Sequence, residues 1–257
     1  MVNNFVSVIP AAGDGSRLST EIPKQFLRLE GRTILELSIK PLLDFSECLG
    51  ICVAMPSEGD YSEYTNISSS KVNFIKGGNN RLDSVIEGIK YWRESGKIFT
   101  NILIHDAVRP CLKSSDVRSL LETMDKEDLD GAILGVPCSD TIKKISGKEK
   151  IIQNTISRKD VWLACTPQIF KKGCLYEALV NNNLDPILFT DEASLVEINS
   201  GKIKVVACSR DNIKVTFPPP KKTYIKPKKI SLDILYEDDD IIIINKFPGV
   251  VVHPGAG

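Results

Sequence analysis

Histidine is almost missing from this chain, with His105 and His253 the only two. A catalytic triad or a histidine-built metal centre therefore has little to draw on. No stretch of about eighteen apolar residues occurs either, so no membrane-spanning segment is expected. The opening Met1-Val2-Asn3-Asn4-Phe5 lacks the charged and apolar regions of a secretory signal. Net charge is absent too, because 33 Lys and Arg face 33 Asp and Glu. Proteins that coat nucleic acid carry a basic excess, so nucleic acid is not an expected partner. Seven cysteines, an odd number, are scattered along the chain, and no histidine lies near enough to Cys48 and Cys52 to complete a zinc spacing. They read as reduced thiols of a cytoplasmic protein, several buried as small hydrophobes.

What remains is an ordinary globular composition, 42% hydrophobic and 26% charged over 257 residues. That length holds one sizeable domain, with or without an appendage. Phe5-Val6-Ser7-Val8-Ile9 is a short apolar run emptying into Pro10-Ala11-Ala12-Gly13, the pattern of a buried strand followed by a glycine loop. Further buried strands are expected at 50–55, 72–75, 101–104 and 131–136, and helices at 34–43, 83–92 and 115–124, the last capped by Ser114 or Ser115. Strands alternating with helices imply an α/β domain: a mostly parallel sheet with helices on both faces and ligands at the carboxyl ends of its strands.

Residues 139–158 break the pattern. Thr141-Ile142-Lys143-Lys144-Ile145 and Ile151-Ile152-Gln153-Asn154-Thr155-Ile156 flank Gly147 as a two-stranded excursion. Such an arm has little to bury by itself and calls for a partner subunit. A second change begins at Phe217. Residues 218–229 hold four prolines and five lysines with no acid, which is a linker composition. Beyond it, 234–236 and 241–244 flank Glu237-Asp238-Asp239-Asp240 as a hairpin, too short a unit for an independent core.

The strongest chemical signal is Pro10-Ala11-Ala12-Gly13-Asp14-Gly15-Ser16-Arg17, followed by Pro23-Lys24-Gln25. Glycines after a buried strand let backbone amides approach a phosphate chain, and Arg17 and Lys24 add full positive charge. Gly-Lys-Ser/Thr is absent and G-x-G-x-x-G is absent, so this is neither a Walker loop nor a dinucleotide fingerprint. Together with Gly77-Gly78-Asn79-Asn80-Arg81 and Ser84, His105-Asp106-Ala107-Val108-Arg109-Pro110, Asp140-Thr141-Ile142-Lys143, Thr166-Pro167-Gln168, Thr190-Asp191-Glu192-Ala193-Ser194 and Asp211-Asn212-Ile213-Lys214-Val215-Thr216, this segment resembles the 2-C-methyl-D-erythritol 4-phosphate cytidylyltransferases. The resemblance covers about residues 4–217.

It implies a Rossmann-like nucleotidyltransferase fold with a protruding β-arm and, with Mg²⁺, transfer of CMP from CTP to a polyol phosphate in non-mevalonate isoprenoid synthesis. On the same grounds Arg17 and Lys24 stabilise the transition state, while Arg158 and Lys214 aim the methylerythritol phosphate. Ala11, Ala12, Gly13, Gly15, Gly78 and Ser84 hold the nucleotide. Asp106, Arg109, Thr166 and Thr190 face the acceptor, Asp106 also being the candidate metal ligand. The arm would lie across a homodimer and carry Arg158 to the neighbour's pocket. His105 is expected as a structural neighbour, and Asp191 and Glu192 as solvated or helix-capping. Ribitol 5-phosphate cytidylyltransferases share the nucleotide loop and are the alternative. An RNA-binding role through the basic linker and the tail, residues 218–257, is the reading of another class.

The tail resembles the opening of large-subunit-type RNA pseudouridine synthases, through 232–240, Asn245-Lys246 and 249–255. Their His-Arg-Leu-Asp motif is absent, so no base isomerisation is expected. Phe217-Pro218-Pro219-Pro220 stands where the transferases continue into a closing helix.

Overall fold

The computed structural model describes residues 4–13, 22–57, 67, 69–181, 189–216, 233–237 and 242–245. The chain divides into two compact units, Met1–Phe217 and Pro218–Gly257.

In the first unit, β1 (Phe5–Pro10) is followed by a 3₁₀ turn at Lys24–Phe26 and a small hairpin of β2 (Arg28–Leu29) and β3 (Arg32–Thr33). Helix α1 (Ile34–Leu43) begins at the residue the periodicity indicates. Thr33 Oγ accepts from the Glu36 N–H at 3.1 Å while the Glu36 carboxylate accepts from the Thr33 N–H, a reciprocal cap that satisfies two orphan donors. Then come β4 (Cys48–Met55), β5 (Val72–Lys76), α2 (Arg81–Glu94), β6 (Asn101–Ile104), α3 (Ser114–Lys126) and β7 (Gly131–Pro137). The arm is β8 (Ile142–Ser146) with β9 (Ile151–Ile156), and the unit closes with β10 (Trp162–Lys171), α4 (Lys172–Asn181), α5 (Glu192–Ile198) and β11 (Ile203–Ala207).

Seven strands form one sheet in the order β11-β7-β10-β6-β1-β4-β5. All neighbours pair in parallel except β10, which runs antiparallel to both β6 and β7. The expected mostly parallel sheet is therefore observed, with one reversed strand inserted. The side-chain period of two splits the core between two faces. Phe5, Ile9 and Leu103 meet Leu35, Ile39 and Leu42 of α1 and Val117, Leu120 and Leu121 of α3. Val6, Val8, Ile102 and Ile104 meet Val85, Ile89 and Trp92 of α2, with Leu175 of α4 and Leu195 of α5. Helix α2 sits close because residue 88 is glycine: a Cβ there would stand 2.4 Å from a Val8 methyl. Trp92 is fully buried, and its indole N–H donates to Ser7 O at 2.9 Å, so the large apolar ring goes under without leaving its polar atom unpaired.

Helix α3 departs from expectation at its start. Ser114 is already helical, and Lys113 precedes it with no side-chain cap. In the second unit, β12 (Asp233–Glu237) pairs antiparallel with β13 (Ile242–Asn245), where the sequence indicates a hairpin. Among the described residues, no helix is long and apolar enough to cross a membrane.

Candidate active site

Two cavities open at the carboxyl ends of β1 and β6. The first is lined by Pro10, Ala11, Ala12 and Gly13 from the loop after β1, by Lys24 and Gln25, and by Ser84, Ala107 and Val108. Buried Gln25 fastens that loop, its side-chain amide donating to Ala11 O at 2.7 Å and Gly13 O at 2.9 Å. On the opposite rim, Gly77 N–H donates to Met55 O at 2.7 Å and Gly78 N–H to Ser84 Oγ at 3.1 Å. Residue 78 must be small, since a Cβ there would lie 2.2 Å from that of Asp83.

The second cavity is lined by Arg109, Ala164, Cys165, Thr166, Gln168, Thr190 and Asp191. Thr166 precedes a cis proline in β10, the reversed strand. Its hydroxyl accepts from the Asp106 N–H at 3.0 Å and lies 3.1 Å from His105 Nδ1. Arg109 donates to Asn212 O at 2.6 Å, and Asn212 donates to Thr166 O at 2.9 Å. Val215 N–H donates to Val108 O at 2.9 Å, so the 212–216 segment is sewn onto the loop after β6.

Asp106 stands between the cavities and touches three cations. Arg81 Nε lies 3.0 Å from Oδ1, while Lys214 Nζ at 2.9 Å and Arg109 Nε at 3.3 Å take Oδ2. Burial alone would raise the Asp106 pKa, but Arg81, Lys214 and Arg109 outweigh it and hold the carboxyl well below the usual carboxylate range. For Arg81, burial works against the charge, and Glu192 with Asp106 more than restores it, so its pKa lies above the ordinary value. His105 is fully buried and burial pulls its pKa down to about 3. It is therefore neutral near pH 7, and its Nε2 has no hydrogen-bond partner among the described residues.

Of the residues expected from sequence, Ala11, Ala12, Gly13, Lys24 and Ser84 line the first cavity and Arg109, Thr166 and Thr190 the second, with Asp106 and Lys214 in both. Gly78 stands beside the first through Ser84. Gly15 and Arg17 lie outside the described residues. Arg158 lines neither cavity. It is exposed beyond β9 and donates to Ser139 O, bridging the two ends of the arm. The magnesium role expected of Asp106 does not fit its surroundings. Both carboxylate oxygens are committed to cations, which would repel a dication, and no group of three His, Cys, Asp or Glu suited to a metal exists among the described residues.

Asp191 caps α5, accepting from the Ser194 N–H at 3.1 Å, as its capping reading requires. Glu192 is not solvated but fully buried, gripped by Arg81 at 2.6 and 3.0 Å. Arg81, Gln25 and Gln168 also gained no role from sequence. Each sits inside a motif quoted for its neighbours, and Arg81 directly follows Asn80, the helix-capping residue of α2.

A family model described as 2-C-methyl-D-erythritol 4-phosphate cytidylyltransferase matches residues 5–221. A protein of that name from Alteromonas mediterranea is 37% identical over 226 residues, spanning 87% of this chain and 93% of the relative. One from Mannheimia succiniciproducens is 38% identical over 219 residues, spanning 85% and 93%. The crystal structure of the Francisella tularensis protein of the same name superposes with a TM-score of 0.70 at 32% identity, covering 83% of this chain and 94% of that one.

Proposed function

The chain belongs to the 2-C-methyl-D-erythritol 4-phosphate cytidylyltransferase family, and on that premise we propose how its residues carry the transfer of CMP from CTP to 2-C-methyl-D-erythritol 4-phosphate. The observation that supports the reading is a pair of cavities that share Arg81, Asp106 and Lys214 in their linings, so that a nucleotide in one and a polyol phosphate in the other would meet across these residues. An oxygen of the acceptor phosphate attacks the α-phosphorus of CTP. A new P–O bond forms, the bond to the bridging oxygen breaks, and pyrophosphate leaves with its electron pair. The second pKa of a phosphate monoester is near 6, so the attacking group is already ionised at neutral pH and no general base is needed. Neutral, buried His105 agrees with that.

The obstacle is charge, since one anion must approach another. Lys24 in the nucleotide cavity, with Arg17, meets the charge that grows during attack. Lys214 and Arg109 receive the acceptor phosphate, and Thr166 and Thr190 its hydroxyl end. A magnesium ion, which the resemblance implies, would offset part of the triphosphate charge; the described residues offer it no cluster of ligands, and no step here passes through it.

Assembly completes the site. Ile145, Ile152 and Ile156 share one face of the arm as an exposed apolar stripe, and Ile151, Trp162 and Leu163 are exposed as well. A second copy of the chain covers this stripe in a homodimer, and Arg158, remote from its own cavities, reaches the neighbour's acceptor. Seven free thiols support a cytoplasmic location. The second unit, with its likeness to the opening of pseudouridine synthases, takes no part in the transfer.

Incubation with CTP and either methylerythritol phosphate or ribitol 5-phosphate, reading pyrophosphate, tests the assignment. Release with the first and not the second is expected. Release only with ribitol 5-phosphate would overturn the acceptor, and release with neither would overturn the function.

A further inference from the structure

Arg81, Asp106 and Lys214 line both cavities and so make the partition between them. Its members are held very differently. The Lys214 side chain is 37% exposed and pairs with Asp106. Arg81 is clamped from two sides, with Nε on Asp106 and both terminal nitrogens on Glu192. Glu192 is held in turn. Gln168 donates to Asp191 Oδ2 at 2.8 Å and accepts from the Ala193 N–H at 3.1 Å, so residues on both sides of Glu192 are tied to β10.

Because Glu192 neutralises Arg81, the guanidinium brings little net charge to the partition. What it brings is a rigid fork. When a phosphate dianion enters the second cavity, Lys214 and Arg109 must turn part of their hydrogen bonding from Asp106 to the newcomer. A carboxylate freed of them is repelled by that dianion and stays in place only if another cation keeps hold of it. Arg81 can do so because it is not free to leave.

Resting on the two-cavity reading above, we propose that Glu192 is a positioning residue for the transfer: it locks Arg81, Arg81 fixes Asp106, and the fixed partition sets the line along which the acceptor phosphate meets the α-phosphorus, while Lys214 changes partner.

The test separates positioning from stability. Removing one member of a buried ion pair leaves an unpaired charge, whereas exchanging both for apolar side chains of similar volume is often neutral for folding. Arg81→Met, Glu192→Gln and the paired Arg81→Met/Glu192→Leu are compared by melting temperature, by calorimetric CTP affinity and by kcat and KM for the acceptor. The paired variant is expected to melt near the parent and keep CTP affinity within a few-fold, yet to lose about 10²-fold in kcat, the scale of a small misplacement. It should be no slower than Arg81→Met alone, because Glu192 acts only through Arg81. A folded paired variant with parental kcat, or losses that simply multiply, would overturn the proposal. So would a paired variant that does not fold, since the work of the pair would then be stability. The parent is the control: if it releases no pyrophosphate, the functional reading fails rather than this one.

Discussion

The partition around Asp106 and the arm at 142–156 treat charge and apolar surface in opposite ways. At the partition, five charged side chains are buried or half-buried and paired within one chain, each cation facing a carboxylate at 2.6 to 3.3 Å. On the arm, Ile152 is 60% exposed and Arg158 donates to a backbone carbonyl of its own root. Ile142 pairs with Ile156 and Ile145 with Ile152 across the two strands, and among the described residues none of the four belongs to either core cluster. A two-stranded hairpin is marginal by itself. The charges of one region are paired within the chain, while the apolar side chains of the other stay exposed. In the function proposed above, the first binds and orients and the second is matched by another copy.

The largest effect expected falls on the first region. Lys24→Ala, or Arg17→Ala, should lower turnover by about 10²–10³-fold with the melting temperature unchanged, if each supplies the donor to developing charge that the proposed function gives it. Steady-state pyrophosphate release checks this, and parental turnover in both would move catalysis away from the loop after β1.

Next comes the arm. Ile142→Asp with Ile152→Asp should convert a dimer to a monomer by light scattering, because an unpaired charge in an apolar interface is strongly disfavoured. Turnover should drop about 10²-fold as the aimed group is lost, while CTP affinity stays near parental. A fully active monomer would make the arm irrelevant to the site.

The smallest effect is one of pH. His105 has its folded pKa lowered from 6.5 to about 3 by burial, so between those values the unfolded chain binds one proton more than the folded one. The stability that neutral His105 contributes is whole above about pH 6.5 and is lost as the pH falls toward 3. The slope from this single proton is at most about 1.4 kcal/mol per pH unit. Asp106, with its lowered pKa, adds a slope of the same sign only below the ordinary carboxylate range. Urea unfolding at pH 7 and pH 5 should show the loss in the parent and a shallower one in His105→Asn. Equal slopes would mean that His105 is not held neutral.

Legibility in the sequence followed how each region is built. Strands buried on both faces write themselves as apolar runs, and β1, β4, β6 and β7 are readable at once. The arm is readable for the opposite reason, as β-branched residues without an obvious core. β10 was not, because Thr166-Pro167-Gln168 interrupts its apolar pattern and its antiparallel direction follows from the arm that precedes it. α4, α5 and β11 went unread in the same stretch. The phosphate loop and the His-Asp segment announce their chemistry through charge beside glycine or at a strand end. Glu192 does not: an acid after a helix cap looks like a solvated first turn, and only the tertiary fold brings Arg81 to it across 111 residues.

The measurement that bears most directly on a site served by the arm of another copy is complementation. Lys24→Ala and Arg158→Ala proteins, each nearly inactive alone, are unfolded together and refolded as a mixture. In a mixed dimer one site keeps its own Lys24 and receives an intact Arg158 from the other copy. With random pairing half the dimers are mixed, so the account predicts recovery of about a quarter of the parental activity. If Arg158 serves the cavity of its own chain, every site in the mixture lacks either Lys24 or Arg158, and activity no higher than that of the separate proteins would contradict the account.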